Sequence, residues 1–103
     1  QSSAEMKASF HRRVQAEVNE AIAWYENQSH GLGDDFFAGF EEALSLIKSH
    51  PSRHSFWLHS QTVRRVKLKR FPYDLLYEVR PSQIRVLCLR HRKRHPKFGQ
   101  GRH

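Results

Sequence analysis

The hydrophobic pattern of this chain changes its period once, across residues 52–62, and this change constrains the fold more than any other feature. Before that segment, apolar residues recur every three or four positions, which is typical of amphipathic helices. After it, they alternate with polar residues or form short apolar runs, as strands do. Because 103 residues suffice for one domain of ordinary size, helices followed by strands predict a single α+β domain.

Two helices are predicted in the first half of the chain. The first spans residues 12–27 and the second spans residues 34–49, with Pro51 just beyond its end. Their apolar stripes consist of Val14, Val18, Ala21, Ile22 and Tyr25, and of Phe36, Phe37, Phe40, Ala43, Leu44 and Ile47. Since about six residues join the helices, we expect an antiparallel helical hairpin. The aromatic pairs Trp24-Tyr25 and Phe36-Phe37 are both expected in the core.

Strands are predicted on both sides of the helical hairpin. A short one is expected at residues 8–11, with Phe10 facing inward. Three more are predicted at residues 63–69, 73–79 and 84–89, and their short connections indicate an antiparallel meander. We expect the hairpin to pack on one face of this small antiparallel sheet and to leave the other face open.

The limits of the domain and its cellular setting are also expectations from the sequence. Residues 6–98 should form the domain, residues 1–5 precede the single methionine Met6 and should lie outside it, and residues 99–103 should fray. No apolar run approaches the roughly 18 residues of a membrane span, and no signal-peptide pattern is present. The lone Cys88 is expected to be buried in the last strand and suits a reducing cytoplasm.

The charge of the chain is divided unevenly between its two halves. Residues 1–51 carry four basic and eight acidic side chains, a net charge of −4. Residues 52–103 carry fourteen basic side chains and only two acidic ones, Asp74 and Glu78, a net charge of +12. Charge concentrated on one part of a small domain indicates a partner of the opposite sign.

Two basic segments in the second half are candidate binding sites. Arg65, Lys67 and Lys69 alternate along one predicted strand, so they should share a face at a spacing of ~7 Å that suits phosphates or carboxylates. The second segment, residues 90–97, holds arginines that bind phosphate and histidines, such as His91, that transfer protons near neutral pH. No set of histidine, cysteine and carboxylate side chains has the spacing of a metal site, so neither a metal nor a cofactor is expected.

These residues occur in an order that resembles the RelE/ParE superfamily, the small basic toxins of bacterial type II toxin–antitoxin modules, often labelled plasmid stabilisation proteins. The segments that carry the resemblance are Ala21-Ile-Ala-Trp-Tyr-Glu26, Gly31-Leu-Gly33, Val63-Arg-Arg65, Arg70-Phe-Pro-Tyr73, Leu76-Tyr-Glu-Val79, Val86-Leu87 and His91-Arg-Lys-Arg94. The resemblance covers about residues 7–98. It implies a cytoplasmic bacterial toxin that inhibits growth and is neutralised by an acidic, partly disordered antitoxin. It leaves the oligomeric state open.

The resemblance implies two alternative activities. ParE-type toxins poison DNA gyrase, whereas RelE-type toxins cut messenger RNA in the ribosome. The positions that match the RelE catalytic set are Arg65, Lys67, Arg92 and Phe98. Two departures from that set favour the ParE-like activity: Asp74 stands where RelE-type toxins have an arginine, and Phe98 replaces a tyrosine. Whether the protein is an enzyme stays open, and an endoribonuclease is the enzymatic alternative.

The same resemblance implies a surface for the target or the antitoxin on the basic half. Its expected members are Arg65, Lys67, Lys69, His91, Arg92 and Arg94. A plain nucleic-acid-binding module is a third hypothesis, but no recognition helix is evident, and the predicted helices carry the acidic side chains.

Overall fold

The computed structural model describes residues 6–93 together with Arg102 and His103. Its elements, in chain order, are β1 (Ala8–Phe10), α1 (Val14–Gln28), α2 (Leu32–Ser49), β2 (Val63–Lys67), β3 (Tyr73–Val79) and β4 (Ile84–His91). The predicted α+β class is confirmed, and every element begins within two residues of its predicted start. The expectations for residues 1–5, 94–98 and 99–101 fall outside the described residues.

The four strands form one mixed sheet in the order β1-β4-β3-β2. The pairs β2–β3 and β3–β4 are antiparallel, as the predicted meander requires. Strand β1 lies parallel to the start of β4, with Ala8 opposite Ile84 and Phe10 opposite Val86. The helical hairpin, β2 and β3 therefore all lie in the chain between β1 and β4, although β1 and β4 are neighbours in the sheet.

The main core lies between the helical hairpin and one face of the sheet. Its largest members include an aromatic cluster in which Tyr25, Phe36 and Phe71 approach one another with ring centroids 4.8 to 5.3 Å apart. The other buried apolar residues of this core are Val14, Val18, Ala21, Phe40, Ala43, Ile47, Val66, Leu68, Leu75, Tyr77, Ile84, Val86 and Leu89. These residues confirm most of the two predicted helical stripes.

Three aromatic residues that we expected inside the core are exposed. Trp24 is 57% exposed, whereas its neighbour Tyr25 packs in the core. Likewise Phe37 is 40% exposed beside the fully buried Phe36. With 3.6 residues per turn, adjacent helical positions point about 100° apart, so only one member of each pair faces the sheet. Phe10, at the end of the short edge strand β1, is also 40% exposed.

A β-bulge in β4 divides the sheet residues between two apolar clusters. Cys88 pairs with Leu76 and Val86 pairs with Tyr77, so Leu87 has no partner of its own on β3. Ile84 and Val86 consequently face the helices, but Leu87 and Cys88 both belong to a smaller cluster on the opposite side. Cys88 is buried as expected, although in this second cluster rather than in the main core.

The turn between the helices is fixed by one carboxylate of α1. Both oxygens of Glu26 accept the backbone N–H of Gly31, at 3.0 and 3.1 Å, and Oε1 also accepts that of Gly33 at 3.0 Å. These N–H groups lie at the start of α2, whose N-cap residue is Gly31 and has no side chain that could cap the helix. Glu26 of α1 caps it instead. The hydrogen bonds from these N–H groups lower the pKa of Glu26. Gly31 adopts a φ of 90°, which L-amino acids rarely take.

Candidate binding site on the open sheet face

The sheet face opposite the helices, which we call the open face, displays a group of charged side chains. Arg65 and Lys67 of β2 pair with Leu76 and Asp74 of β3, and the cross-strand register places all four on this face. The same face carries Arg90 of β4, which pairs with Asp74 from the other side. The structure thus brings together two of the cations that the sequence pattern singled out.

Asp74 lies at the centre of this charged group. The residue is only 1% exposed, and its two oxygens contact different guanidinium groups. Oδ2 lies 3.4 Å from Nη1 of Arg90, whose side chain is 4% exposed, and Oδ1 lies 3.2 Å from Nε of Arg92, whose side chain is 39% exposed. A buried carboxylate needs such partners, because its desolvation in isolation would cost several kcal/mol. Asp74, which we expected to stand where RelE-type toxins have an arginine, therefore contacts two arginines of this group.

Trp57 covers the middle of the open face, and sequence reasoning assigned it no role. The Cζ atom of Arg90 lies 4.7 Å from the centroid of the Trp57 ring, and that of Arg65 lies 5.7 Å away. The ring also packs on the small cluster formed by Leu76, Leu87 and Cys88. The only sequence feature that could have indicated this contact is the aromatic pair Phe56-Trp57, which stands in an otherwise polar loop before a basic strand.

The segment that carries Trp57 is attached to the outer edge of β2. The Trp57 N–H donates to the Val63 carbonyl at 2.7 Å, and the Arg65 N–H donates to the Ser55 carbonyl at 2.9 Å. Farther back, the Tyr77 hydroxyl donates to the Pro51 carbonyl at 2.6 Å, and burial raises the pKa of Tyr77 to about 12. The two backbone bonds to Val63 and Arg65 occupy an edge of β2 that a partner strand could otherwise pair with.

Two of the other predicted site residues, Lys69 and His91, do not join this group. Lys69 lies beyond the end of β2, and its Nζ is 3.0 Å from Oε2 of Glu42 on α2. His91 pairs with Tyr73 on the helical side of the sheet, where the two rings lie 5.0 Å apart. Arg94 and Phe98 fall outside the described residues.

His91 instead lines a groove between α1 and the end of β4. The groove has a volume of about 820 Å³, and its walls include Trp24, Tyr73 and Leu89. Glu17 stands at one end, where its carboxylate accepts the Leu89 N–H at 3.1 Å. The other oxygen of Glu17 lies 2.7 Å from Nη1 of Arg102, a guanidinium of the basic half. This groove is acidic at α1, in contrast to the cationic open face.

Among residues 6–93, 102 and 103, no three histidine, cysteine, aspartate or glutamate side chains gather closely enough to hold a metal ion. Within the same residues, no helix has both the length and the apolar character needed to cross a membrane.

Comparison with known proteins identifies the family. The sequence profile of the family described as the ParE toxin of the type II toxin–antitoxin system parDE matches residues 8–96. The chain belongs to this ParE family. The resemblance read from the sequence is thereby confirmed at the level of the RelE/ParE superfamily.

The fold of this ParE family member also occurs in a solved structure. A chain of the structure described as the chromosomal ParDE TA system from P. aeruginosa superimposes with a TM-score of 0.62 and 15% sequence identity. The match covers 86% of this chain and 98% of the other. At that identity the likeness establishes the shared fold. No curated protein matches the sequence significantly. Asp74 and its two arginines thus lie on the open face of a ParE-type fold.

Proposed function

We propose that this ParE family member halts bacterial growth by acting on DNA gyrase and that an acidic antitoxin neutralises it. The observation that supports this function best is the buried Asp74, bonded to Arg90 and Arg92 at the position where RelE-type toxins have an arginine. A toxin that acts by binding a replication protein does not need a cationic catalytic set. The family profile, which is that of ParE toxins, points the same way.

The chemistry of RNA cleavage explains why Asp74 weighs against a nuclease. A ribose hydroxyl that attacks a phosphodiester builds up negative charge, which cations must stabilise. A carboxylate ~4 Å from that charge would oppose it by about 4 kcal/mol at an effective dielectric constant of 20. In addition, Arg92 already donates to Asp74, so this guanidinium is not fully available to a phosphate.

An acidic antitoxin fits the charge distribution of the molecule. The structural relative from P. aeruginosa is described as a ParDE TA system, that is, as a toxin–antitoxin pair. In this chain, residues 52–103 carry a net charge of +12, which would attract an acidic partner and accelerate the encounter.

A ribosome-dependent nuclease is the second candidate, and one observation favours it. Arg65 and Lys67 share the open face, and Arg92 lies at the same edge through its contact with Asp74. Three of the four positions carried over from the RelE set are thus cationic and lie near one another. The fourth, Phe98, is outside the described residues.

Purified toxin tested against both targets separates the two candidates. We expect dose-dependent loss of supercoiling by gyrase and intact message in a ribosome assay. Site-specific cleavage of ribosome-bound message, with supercoiling unaffected, would overturn the gyrase proposal.

A pair of variants sharpens the comparison. A nuclease that uses Arg92 should lose at least about 100-fold of its cleavage rate in Arg92→Ala, because each charge stabiliser of this kind is worth 10²–10³. Arg53→Ala, in the exposed loop after α2, is the matched control for the loss of one positive charge. A gyrase-directed toxin should show no message cleavage in the unmodified protein or in either variant, and circular dichroism should first establish that Arg92→Ala, which removes a partner of the buried Asp74, is folded.

A further inference from the structure

The open face has most of what a site for a single-stranded nucleic acid requires. Arg65 and Lys67 project from it two residues apart, at a spacing of ~7 Å, and Arg92 adds a partly exposed guanidinium. Cations repeated at this spacing can follow successive phosphates of an extended strand. Trp57 offers no free stacking platform, however, because the guanidinium groups of Arg65 and Arg90 lie against its ring.

One carboxylate lies among these cations and cannot leave them. Asp74 faces Lys67 on one neighbouring strand and Arg90 on the other, and it contacts Arg92 beyond the strand end. Because the residue is 1% exposed, its side chain cannot turn into solvent when another anion approaches. An incoming phosphate would have to compete with Asp74 for Arg92 and would meet its negative charge at short range.

We propose that Asp74 is a specificity-determining residue, an internal counter-ion that weakens the binding of a phosphodiester backbone to the cationic open face of this toxin. This role does not depend on which cellular target the toxin has. With this counter-ion, a chain with a net charge of +8 would present cations to a protein partner while binding RNA less tightly than its charge alone implies.

A phosphodiester strand is the anion that Asp74 disfavours most. Successive nucleotides carry one charge each and cannot omit the charge nearest Asp74. A polypeptide can place its carboxylates opposite Arg65 and Lys67 and a neutral residue near Asp74. The counter-ion should therefore discriminate between the two kinds of polyanion rather than weaken both equally.

The test compares two variants that remove the same charge from the same strand and face. Asp74→Asn removes the counter-ion, whereas Glu78→Gln removes a carboxylate at the far end of β3, where it contacts Arg80 at 3.0 Å. The probes are a fluorescein-labelled 12-nucleotide oligouridylate and a poly-glutamate peptide of equal length, titrated at several salt concentrations without gyrase or ribosomes.

We expect Asp74→Asn to bind the oligouridylate about tenfold more tightly than the unmodified toxin. The slope of log K against log salt should steepen by about 0.7 for each phosphate gained. Glu78→Gln should stay within about twofold of the unmodified toxin. No gain in Asp74→Asn, an equal gain in Glu78→Gln, or an equal gain for poly-glutamate would overturn the proposal. Since gyrase is absent, these outcomes are independent of the proposed target.

A second measurement covers the case in which Asp74→Asn does not fold, as judged by circular dichroism. In the unmodified toxin, Asp74 accepts a hydrogen bond from Arg92, whereas Lys67 forms no ion pair with any residue in the described part of the chain. Arg92→Gln should then weaken oligouridylate binding less than Lys67→Gln does. An equal or larger loss in Arg92→Gln would mean that Asp74 does not restrain Arg92, and the proposal would fail.

Discussion

At the scale of single residues, two carboxylates of this toxin act by holding hydrogen-bond donors in place. Asp74 fixes two arginines of the open face, and Glu26 binds the N–H groups that open α2. The sequence places Glu26 five and seven residues before Gly31 and Gly33, a spacing that acquires meaning only when α1 and α2 fold back on each other. The partners of Asp74 are distant in the chain, and those of Glu26 are backbone groups. Neither set of partners could therefore be predicted from the sequence.

The pH dependence of stability tests the role of Glu26. Hydrogen bonds from Gly31 and Gly33 lower the pKa of its carboxyl below the ordinary 4.5, so the ionised form stabilises the folded state. This contribution is complete above the unfolded pKa and disappears as the pH falls through the lower folded pKa. We therefore expect Glu26→Gln to lower the urea midpoint at pH 7 but to match the unmodified toxin in strong acid.

The control for that experiment is Glu20→Gln, an exposed carboxylate on the same helix. Its midpoint should change little at either pH, since exposed substitutions usually have small effects. A Glu26→Gln variant whose deficit persists unchanged below pH 3 would show that the carboxylate charge is not what stabilises the turn.

At the scale of elements, the helices and strands could be predicted because their periods are local properties of the sequence. The stripe of α2 and the apolar run of β4 each depend on neighbouring residues alone. The parallel pairing of β1 with β4 is different, since it joins residues 76 positions apart and leaves no local mark.

Side-chain direction was predicted less well than element type, and the causes are physical. Simple alternation along β4 places Val86 and Cys88 on one face, but the bulge at Leu87 reverses the phase between them. The sequence predicted the cations Arg65 and Lys67 of the candidate site, but it did not predict that the Trp57 ring lies against the guanidinium groups of this face. Trp57 reaches the open face because its backbone pairs with β2, and that pairing is not encoded in a hydrophobic period.

The close packing of α1 and α2 predicts that a methyl group added at Gly33 lowers the stability of the folded protein. A Cβ at Gly33 would lie 2.9 Å from the Ile22 carbonyl oxygen and 3.0 Å from Oε1 of Glu26, so a backbone atom of α1 would have to move. We expect Gly33→Ala to lower the free energy of unfolding by about 1–3 kcal/mol, the usual range for overpacking. Chemical denaturation followed by circular dichroism would measure it.

Gly39→Ala is the matched control within the same helix. Its Cβ would meet only the Phe71 ring, at 3.7 Å, which is an ordinary van der Waals contact. Alanine also has the higher helix propensity, by up to about 1 kcal/mol, so this variant should be neutral or slightly stabilised. If both variants lost stability equally, close approach of α1 and α2 at Gly33 would not be the cause.

At the scale of the whole molecule, the fold separates the two charge signs that the sequence concentrates in its halves. The acidic half forms the helical hairpin, and the basic half forms β2, β3 and β4 with the open face. A few ion pairs connect the basic half with the acidic half, such as those of Lys69 with Glu42 and of Arg102 with Glu17. The molecule is therefore an electric dipole as well as a cation, and an acidic partner should approach it from the sheet side.

This separation predicts the kinetics of antitoxin binding. If the cations of the open face steer an acidic antitoxin, the association rate should fall about tenfold between 50 mM and 500 mM salt, because the Debye length shortens to a few ångströms. Lys67→Gln should slow association at low salt, whereas Glu41→Gln on the exposed side of α2 should leave it unchanged or accelerate it. Stopped-flow measurements at equal protein concentrations would resolve both effects. Association that is insensitive to salt and to Lys67 would instead place the antitoxin away from the open face and would leave its cations for the cellular target.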